Sequence, residues 1–145
     1  MDKITLRLAT FEDVPHITRL AEQLGYPTTE EDMAWRMAEL FQQPSDAVWV
    51  AALPEGDVVG WVHLYVHRSL VDNPVAMLGG IVVDEAFRGQ GIGQRLMQHA
   101  ETWGQAHGCE AVYIKSNVTR QRAHNLYERL GYRNVKTQYA FRKDL

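Results

Sequence analysis

The sequence predicts an α/β domain, α+β in the wider sense: a mixed sheet of six to seven strands with helices on both faces. Three observations predict it. Strand-like stretches, alternating or short and apolar, interleave with stretches of helical period. Three strand-like segments follow one another between residues 47 and 83, as antiparallel hairpins do. One helical segment then separates two apolar strands, the sequence form of a β-α-β crossover.

In chain order, "ITLRLA" (4–9) alternates like a strand. A helix over about 11–24 carries Val14, Ile17, Leu20 and Leu24 on one face and stops at Gly25; Thr10 or Asp13 caps it, with Pro15 in its first turn. A second helix spans 29–42, with Thr28 and Glu31 at capping-box spacing and Met33, Met37 and Leu40 or Phe41 as its stripe. "AVWVAAL" (47–53) and "VVGWVHLYVH" (58–67) are strands joined by the turn "PEGD" (54–57). "VAMLGGIVV" (75–83) is a strand with two internal glycines. A helix over 91–107 rests on Ile92, Leu96, Ala100 and Trp103, and "AVYIKS" (111–116) is a buried-type strand. The helix at 120–130 carries Ala123, Leu126 and Leu130 and ends at Gly131, and 132–143 reads as one or two short strands. The order is β-α-α-β-β-β-α-β-α-β, with an optional final strand.

The 145 residues suit one domain, 1–145, and 46% hydrophobic residues give it a core. A net charge of −3 argues against a nucleic-acid binder that works through bulk positive charge. Cys109 is the only cysteine, so no internal disulfide or zinc cluster is expected, and no residue is assigned as a metal ligand. No apolar run approaches the ~20 residues of a membrane span. The start "MDKITLRLAT" lacks a signal peptide's apolar centre, so the expected location is cytoplasmic.

The chemistry concentrates in "VVDEAFRGQGIGQRLM" (82–97), where Gly89, Gly91 and Gly93 fall between a strand and a helix, with Arg88 in front. A dinucleotide fingerprint needs G-x-G-x-x-G, and position 94 is Gln; a P-loop needs Gly-Lys-Ser/Thr, and 93–95 read Gly-Gln-Arg. The physics common to those loops survives: backbone N–H groups at a helix N-terminus, unhindered by Cβ atoms, form an anion site. Three costly glycines exceed what a plain turn requires. The ligand class is a phosphate or pyrophosphate.

These residues resemble a family. "RGQGIG" (88–93) is similar to the Arg/Gln-x-x-Gly-x-Gly/Ala acetyl-CoA signature of the GCN5-related N-acetyltransferases, and "SNVTRQRAHNLYERLGY" (116–132) looks like that family's downstream block. The resemblance is specific over 78–132 and rests on element order before that. Within the family the chain is most like small-amine enzymes of the aminoalkylphosphonate and aminoglycoside types.

The resemblance implies that strand 78–83 splays from strand 111–116 to leave a notch for the pantetheine arm of acetyl-CoA, along the backbone of Ile81, Val82 and Val83. The amide of Val82 or Val83 would polarise the thioester carbonyl. Arg88 and the amides of Gly89, Gln90, Gly91, Ile92 and Gly93 would hold the pyrophosphate, and Asn117 would bond the pantetheine amides. Tyr127 would donate a proton to the departing thiolate; a phenol of pKa ~10 can do so without a steep barrier. Plainer readings exist for each: Arg88 as a solvated side chain, Asn117 as a turn or cap, Tyr127 as a core tyrosine on the face of Ala123, Leu126 and Leu130. Cys109 reads as packing, with no activating partner.

One departure from the family matters. Many members carry a glutamate on the strand before the signature as proton relay, and the corresponding positions here are Gly79 and Gly80. That leaves a histidine of the neighbouring strand, an ordered water chain, or no chemistry. His63, nearer the middle of its strand than His67, is the candidate acceptor of the amine proton, directly or through a water in the space beside the two glycines; a histidine packed beside Trp61 and Tyr65 is the plain alternative. The expected function is acetyl transfer from acetyl-CoA to a primary amine of a small molecule. Protein or peptide N-acetylation and a non-catalytic acetyl-CoA-binding module are the alternatives. No nucleic-acid or membrane partner is expected; a homodimer is left open.

Overall fold

The computed structural model describes residues 3–117 and 119–145. The elements are β1 (Thr5–Leu8), α1 (Val14–Leu24), α2 (Glu30–Phe41), β2 (Asp46–Ala52), β3 (Val58–His67), β4 (Val75–Val83), α3 (Ile92–Ala106), β5 (Val112–Ile114) and α4 (Gln121–Arg129). Short 3-10 turns at Phe11–Asp13 and Glu85–Phe87 lead into α1 and away from β4. Two compact units result, one ending at Lys115 and one running from Ser116 to Leu145.

In the first unit a five-stranded sheet has the order β1-β2-β3-β4-β5. All neighbours are antiparallel except β4 and β5, which the crossover through α3 makes parallel. Strand alternation gives the sheet two apolar faces. On one, Val48, Val50, Val58 and Val82 pack with Val14, Ile17 and Leu20 of α1 and Met37 of α2. On the other, α3 presents Ile92, Leu96, Met97 and Ala100, all buried. Full burial of such aliphatic side chains contributes about 1.5–3 kcal/mol each. A Cβ on Gly60 of β3 would crowd the backbone Val82 O at 3.1 Å, with Leu96 and Ile92 of α3 at ordinary contact distances of 3.4 Å and 3.6 Å.

Local chemistry explains the helix ends. The Thr10 amide donates to Asp13 Oδ2 at 2.9 Å, so both expected cap residues act together ahead of α1. Gly25 ends α1 at φ 103°, and Gly131 follows α4 at φ 92°, both left-handed positions that favour glycine. The cap of α2 is Thr29, whose hydroxyl accepts from the Asp32 amide at 3.1 Å, one residue later than the Thr28–Glu31 spacing suggests. That choice puts Glu30, Glu31 and Asp32 together in the first turn, where the helix dipole favours negative charge.

The second unit corrects the strand count. Beyond α4 the tail, 132–145, forms no strand, so the sheet has five strands and not six to seven. Val135, Thr137, Tyr139 and Phe141 alternate, but alternation specifies a face and not a hydrogen-bonding neighbour. Val135, Tyr139 and Phe141 are exposed by 59%, 91% and 94%. Among the described residues no helix is long and apolar enough to cross a membrane.

Candidate active site

The site begins where two strands part. β4 and β5 pair at Ala76↔Val112, Met77↔Tyr113 and Leu78↔Ile114, and the ladder stops there. β4 runs on to Val83 with β3 alone beside it, so Gly79–Val83 is a free edge among the described residues. The split coincides with a bulge: His63 faces Gly80 and Leu64 faces Leu78, which leaves Gly79 as an extra residue. Three contacts fix which backbone groups face outward. The Asp84 amide donates to Val59 O at 2.8 Å, towards β3. Val82 O also lies on the β3 side, 3.1 Å from where a Gly60 Cβ would stand. Val83 O accepts from Arg88 Nε at 3.2 Å. By alternation the N–H and C=O of Ile81 and Val83 point to the free edge, whereas those of Val82 serve the β3 ladder.

The glycine loop follows directly. Asp84 anchors it: Oδ1 accepts from the Ala86 amide at 3.1 Å and from Gln23 Nε2 at 3.3 Å, and Oδ2 from Arg19 at 3.0 Å. Burial opposes the charge on Asp84, but the Ala86 amide, Arg19 and Gln23 outweigh it and hold its carboxyl below the ordinary range. Gln23 also accepts from the Glu85 amide at 2.9 Å. Gly89 and Gly91 stand at φ 81° and 84° with open space where a Cβ would be, so conformation and not crowding requires glycine. Gly91 is the N-cap of α3, no side chain caps this helix, and Gly93 lies in its first turn. The first amides of α3 are therefore open donors at the positive end of a 15-residue dipole. Arg88, Gly89 and Gln90 are exposed.

His63 explains both glycines of β4. A Cβ on Gly79 would sit inside the His63 ring, closest to Nδ1 and 2.8 Å from Cε1. A Cβ on Gly80 would stand 3.0 Å from Trp61 Cη2 and Cζ3. The space expected to hold a bridging water is thus filled by the two rings. His63 Nε2 lies 2.9 Å from Asp46 Oδ1 on β2, a partner that no sequence motif announced. Tyr65 stands beside His63 with ring centroids 5.6 Å apart.

In the second unit, Asn117 Oδ1 accepts from the Thr119 amide at 3.1 Å and the Thr119 hydroxyl at 3.0 Å, so the turn role expected of Asn117 is present. Tyr127 is buried on α4, 6.4 Å between centroids from Tyr132, and burial raises its phenol despite Arg120. Burial likewise raises the Cys109 thiol despite Arg68, which suits packing.

The acetyltransferase (GNAT) family model matches residues 9–132. The chain belongs to the GNAT acetyltransferase family. It is 36% identical over 104 residues to N-acetylaspartate synthetase of Rattus norvegicus, covering 72% of this chain and 33% of that protein. The chain thus spans about a third of the length of this relative. It is 29% identical over 146 residues to aminoalkylphosphonate N-acetyltransferase of Salmonella typhimurium, covering 97% and 90%. The solved structure of aminoglycoside N-acetyltransferase AAC(6')-Iy in complex with CoA superposes with a TM-score of 0.87 at 20% identity, covering 98% of this chain and 95% of that one.

GNAT acetyltransferases use acetyl-CoA, and the first unit fits that group. A free strand edge offers amide and carbonyl partners to an amide-bearing arm, and an uncapped helix N-terminus behind two left-handed glycines offers donors to a phosphate. Sequence reasoning missed Asp46, whose part depends on the β2–β3 register. It also missed the Asp84–Arg19–Gln23 cluster, whose one local signal is an acidic residue at a strand end.

Proposed function

We propose that the chain is an acetyl-CoA-dependent N-acetyltransferase acting on a primary amine of a small molecule. The observation that carries the reading is the edge Gly79–Val83, free beyond the last β4–β5 pair and followed at once by the glycine loop. When bound, acetyl-CoA supplies a thioester acyl group open to direct attack by an amine. The chain's own groups do the rest. Ile81 and Val83 hold the arm through outward backbone groups, and of the two amides offered for the carbonyl oxygen, that of Val83 has the right direction. Arg88, whose Nε rests on Val83 O, and the amides of Gly89 to Gly93 bind the pyrophosphate. Asn117 and Tyr127 take the roles the family resemblance gives them, arm binder and proton donor; a phenol raised by burial keeps its proton through neutral pH. His63 takes the proton from the amine, with Nδ1 over Gly79 at the start of the free edge.

The acceptor class rests on the relatives, whose names specify N-acetylaspartate, aminoalkylphosphonates and aminoglycosides. The His63 ring over Gly79, where many family members carry the glutamate, supports the catalytic reading over the non-catalytic alternative. The test is acetyl-CoA consumption by the full chain over amino acids, aminoalkylphosphonates, aminoglycosides, polyamines and short peptides. Turnover with one of the small amines is expected. Turnover with peptides alone, or with nothing while CoA binds, would overturn the reading.

A further inference from the structure

Asp46 stands at the start of β2, outside every motif in the sequence. Its Oδ1 lies 2.9 Å from His63 Nε2, and the Ser45 hydroxyl donates to its Oδ2 at 3.2 Å, so each carboxylate oxygen has a donor. An ionised carboxylate has no proton to give, so Nε2 is the donor in the first of these bonds. A neutral imidazole carries one N–H; with it on Nε2, Nδ1 is a lone-pair acceptor. Nδ1 is the ring atom nearest the place a Cβ on Gly79 would take, and Gly79 is the exposed extra residue where β4 and β5 part. It makes no hydrogen bond among the described residues. The side chains of His63 and Asp46 are only 20% and 14% exposed, so the pair is shielded and its orientation is held. Among the described residues, Asp46 of β2 bonds the ring and Tyr65 of β3 lies beside it, while on β4 Gly80 pairs with His63 and Gly79 lies under Nδ1.

We infer that Asp46 is a positioning residue: it fixes His63 as the Nε2–H tautomer and aims the basic Nδ1 at the free edge of β4. The inference rests on the reading of His63 as the acceptor of the amine proton. In that step an N–H bond of the substrate ammonium breaks and its electron pair stays on the amine nitrogen. An Nδ1–H bond forms, and the ring's new positive charge faces the Asp46 carboxylate until solvent takes the proton. The same logic orients the histidine of the Ser-His-Asp triad, where replacing the aspartate by asparagine presents the wrong tautomer and lowers kcat about 10⁴-fold. A loss of roughly 10²- to 10³-fold is expected here, in the lower part of the ~10²- to 10⁴-fold span usual for a positioned acid–base group.

The first readout needs no turnover. Two-bond ¹H–¹⁵N correlation spectra of the ¹⁵N-histidine-labelled full chain, with His63 assigned by His63→Gln, report which ring nitrogen carries the proton. Wild type should hold the Nε2–H form, and Asp46→Asn and Asp46→Ala should show the Nδ1–H form or a mixture. The second readout is kinetic, with L-aspartate, an aminoalkylphosphonate and an aminoglycoside as acceptors. The Asp46 variants should lose kcat with the KM for acetyl-CoA little changed, and Asp46→Glu should recover part of it. An Nδ1–H form in wild type, or Asp46 variants with unaltered tautomer and kcat, overturns the role of Asp46. If His63→Gln leaves kcat and the pH–rate profile intact, the reading of His63 as proton acceptor fails instead, whatever the spectra show, and the positioning role falls with it.

Discussion

Replacing Gly79 by alanine should destabilise the protein only while His63 is present. The new Cβ would enter the His63 ring beside Nδ1 and Cε1. The ring must then turn, and turning it breaks the 2.9 Å contact with Asp46. Overpacking costs about 1–3 kcal/mol, and a hydrogen bond to a charged partner about 1.5–3 kcal/mol. Against these, Gly→Ala contributes about 0.4–1 kcal/mol through the unfolded chain, because Gly79 is not in the left-handed region. The net expectation is a loss of about 2–4 kcal/mol. In a His63→Ala background both costs vanish, and the same substitution should be neutral or stabilising by about 0.4–1 kcal/mol. Urea unfolding of wild type, both single variants and the double variant closes the cycle, with an expected coupling of about 2–5 kcal/mol, at or above the top of the usual range for residues in contact. An equal cost in both backgrounds would refute the claim that Gly79 is glycine because His63 occupies its side-chain space.

Other outcomes follow from the same geometry. Arg88→Ala should weaken CoA binding by roughly 1–3 kcal/mol by calorimetry, the range for a charge-assisted contact. Gly91→Val, at φ 84°, should both destabilise the protein by about 1–3 kcal/mol and abolish that binding. Tyr127→Phe keeps the buried ring and should lower kcat about 10²-fold with little change in CoA affinity; unaltered kcat would assign Tyr127 to packing alone. Because the folded protein holds the Asp84 carboxyl below its ordinary range, its contribution is present above the unfolded value near ~3.9 and fades as pH falls through the lower folded value. Asp84→Asn should therefore flatten the acid limb of thermal stability against pH; an unchanged limb would remove Asp84 from the account.

What the sequence made legible was what a local rule enforces. β3 and β4 occupy the ranges their patterns mark, and Gly25 and Gly131 sit at left-handed helix ends. Gly89 and Gly91 announced themselves because positive φ admits little else. What stayed hidden depends on pairing between distant segments. Asp46 meets His63 only through the β2–β3 register, in which Asp46 faces Tyr65 and Val48 faces His63. Gly79 and Gly80 read as vacant room, whereas the structure fills that room with the rings of His63 and Trp61. The tail alternates without a ladder, since alternation cannot supply a partner. Among the outward groups of β4, Val83 rather than Val82 emerges only once Arg88 and Asp84 fix the direction of alternation.

The central claim is that the free edge of β4 and the open turn of α3 hold acetyl-CoA. Amide hydrogen exchange of the full chain with and without CoA tests it most directly, residue by residue. Without CoA the amides of Ile81, Val83, Ile92 and Gly93 should exchange fast, and that of Val82, bonded to β3, slowly. With CoA the four fast amides should gain protection while Val82 changes little. No gain at sub-millimolar CoA, or gains confined to other segments, would contradict the account.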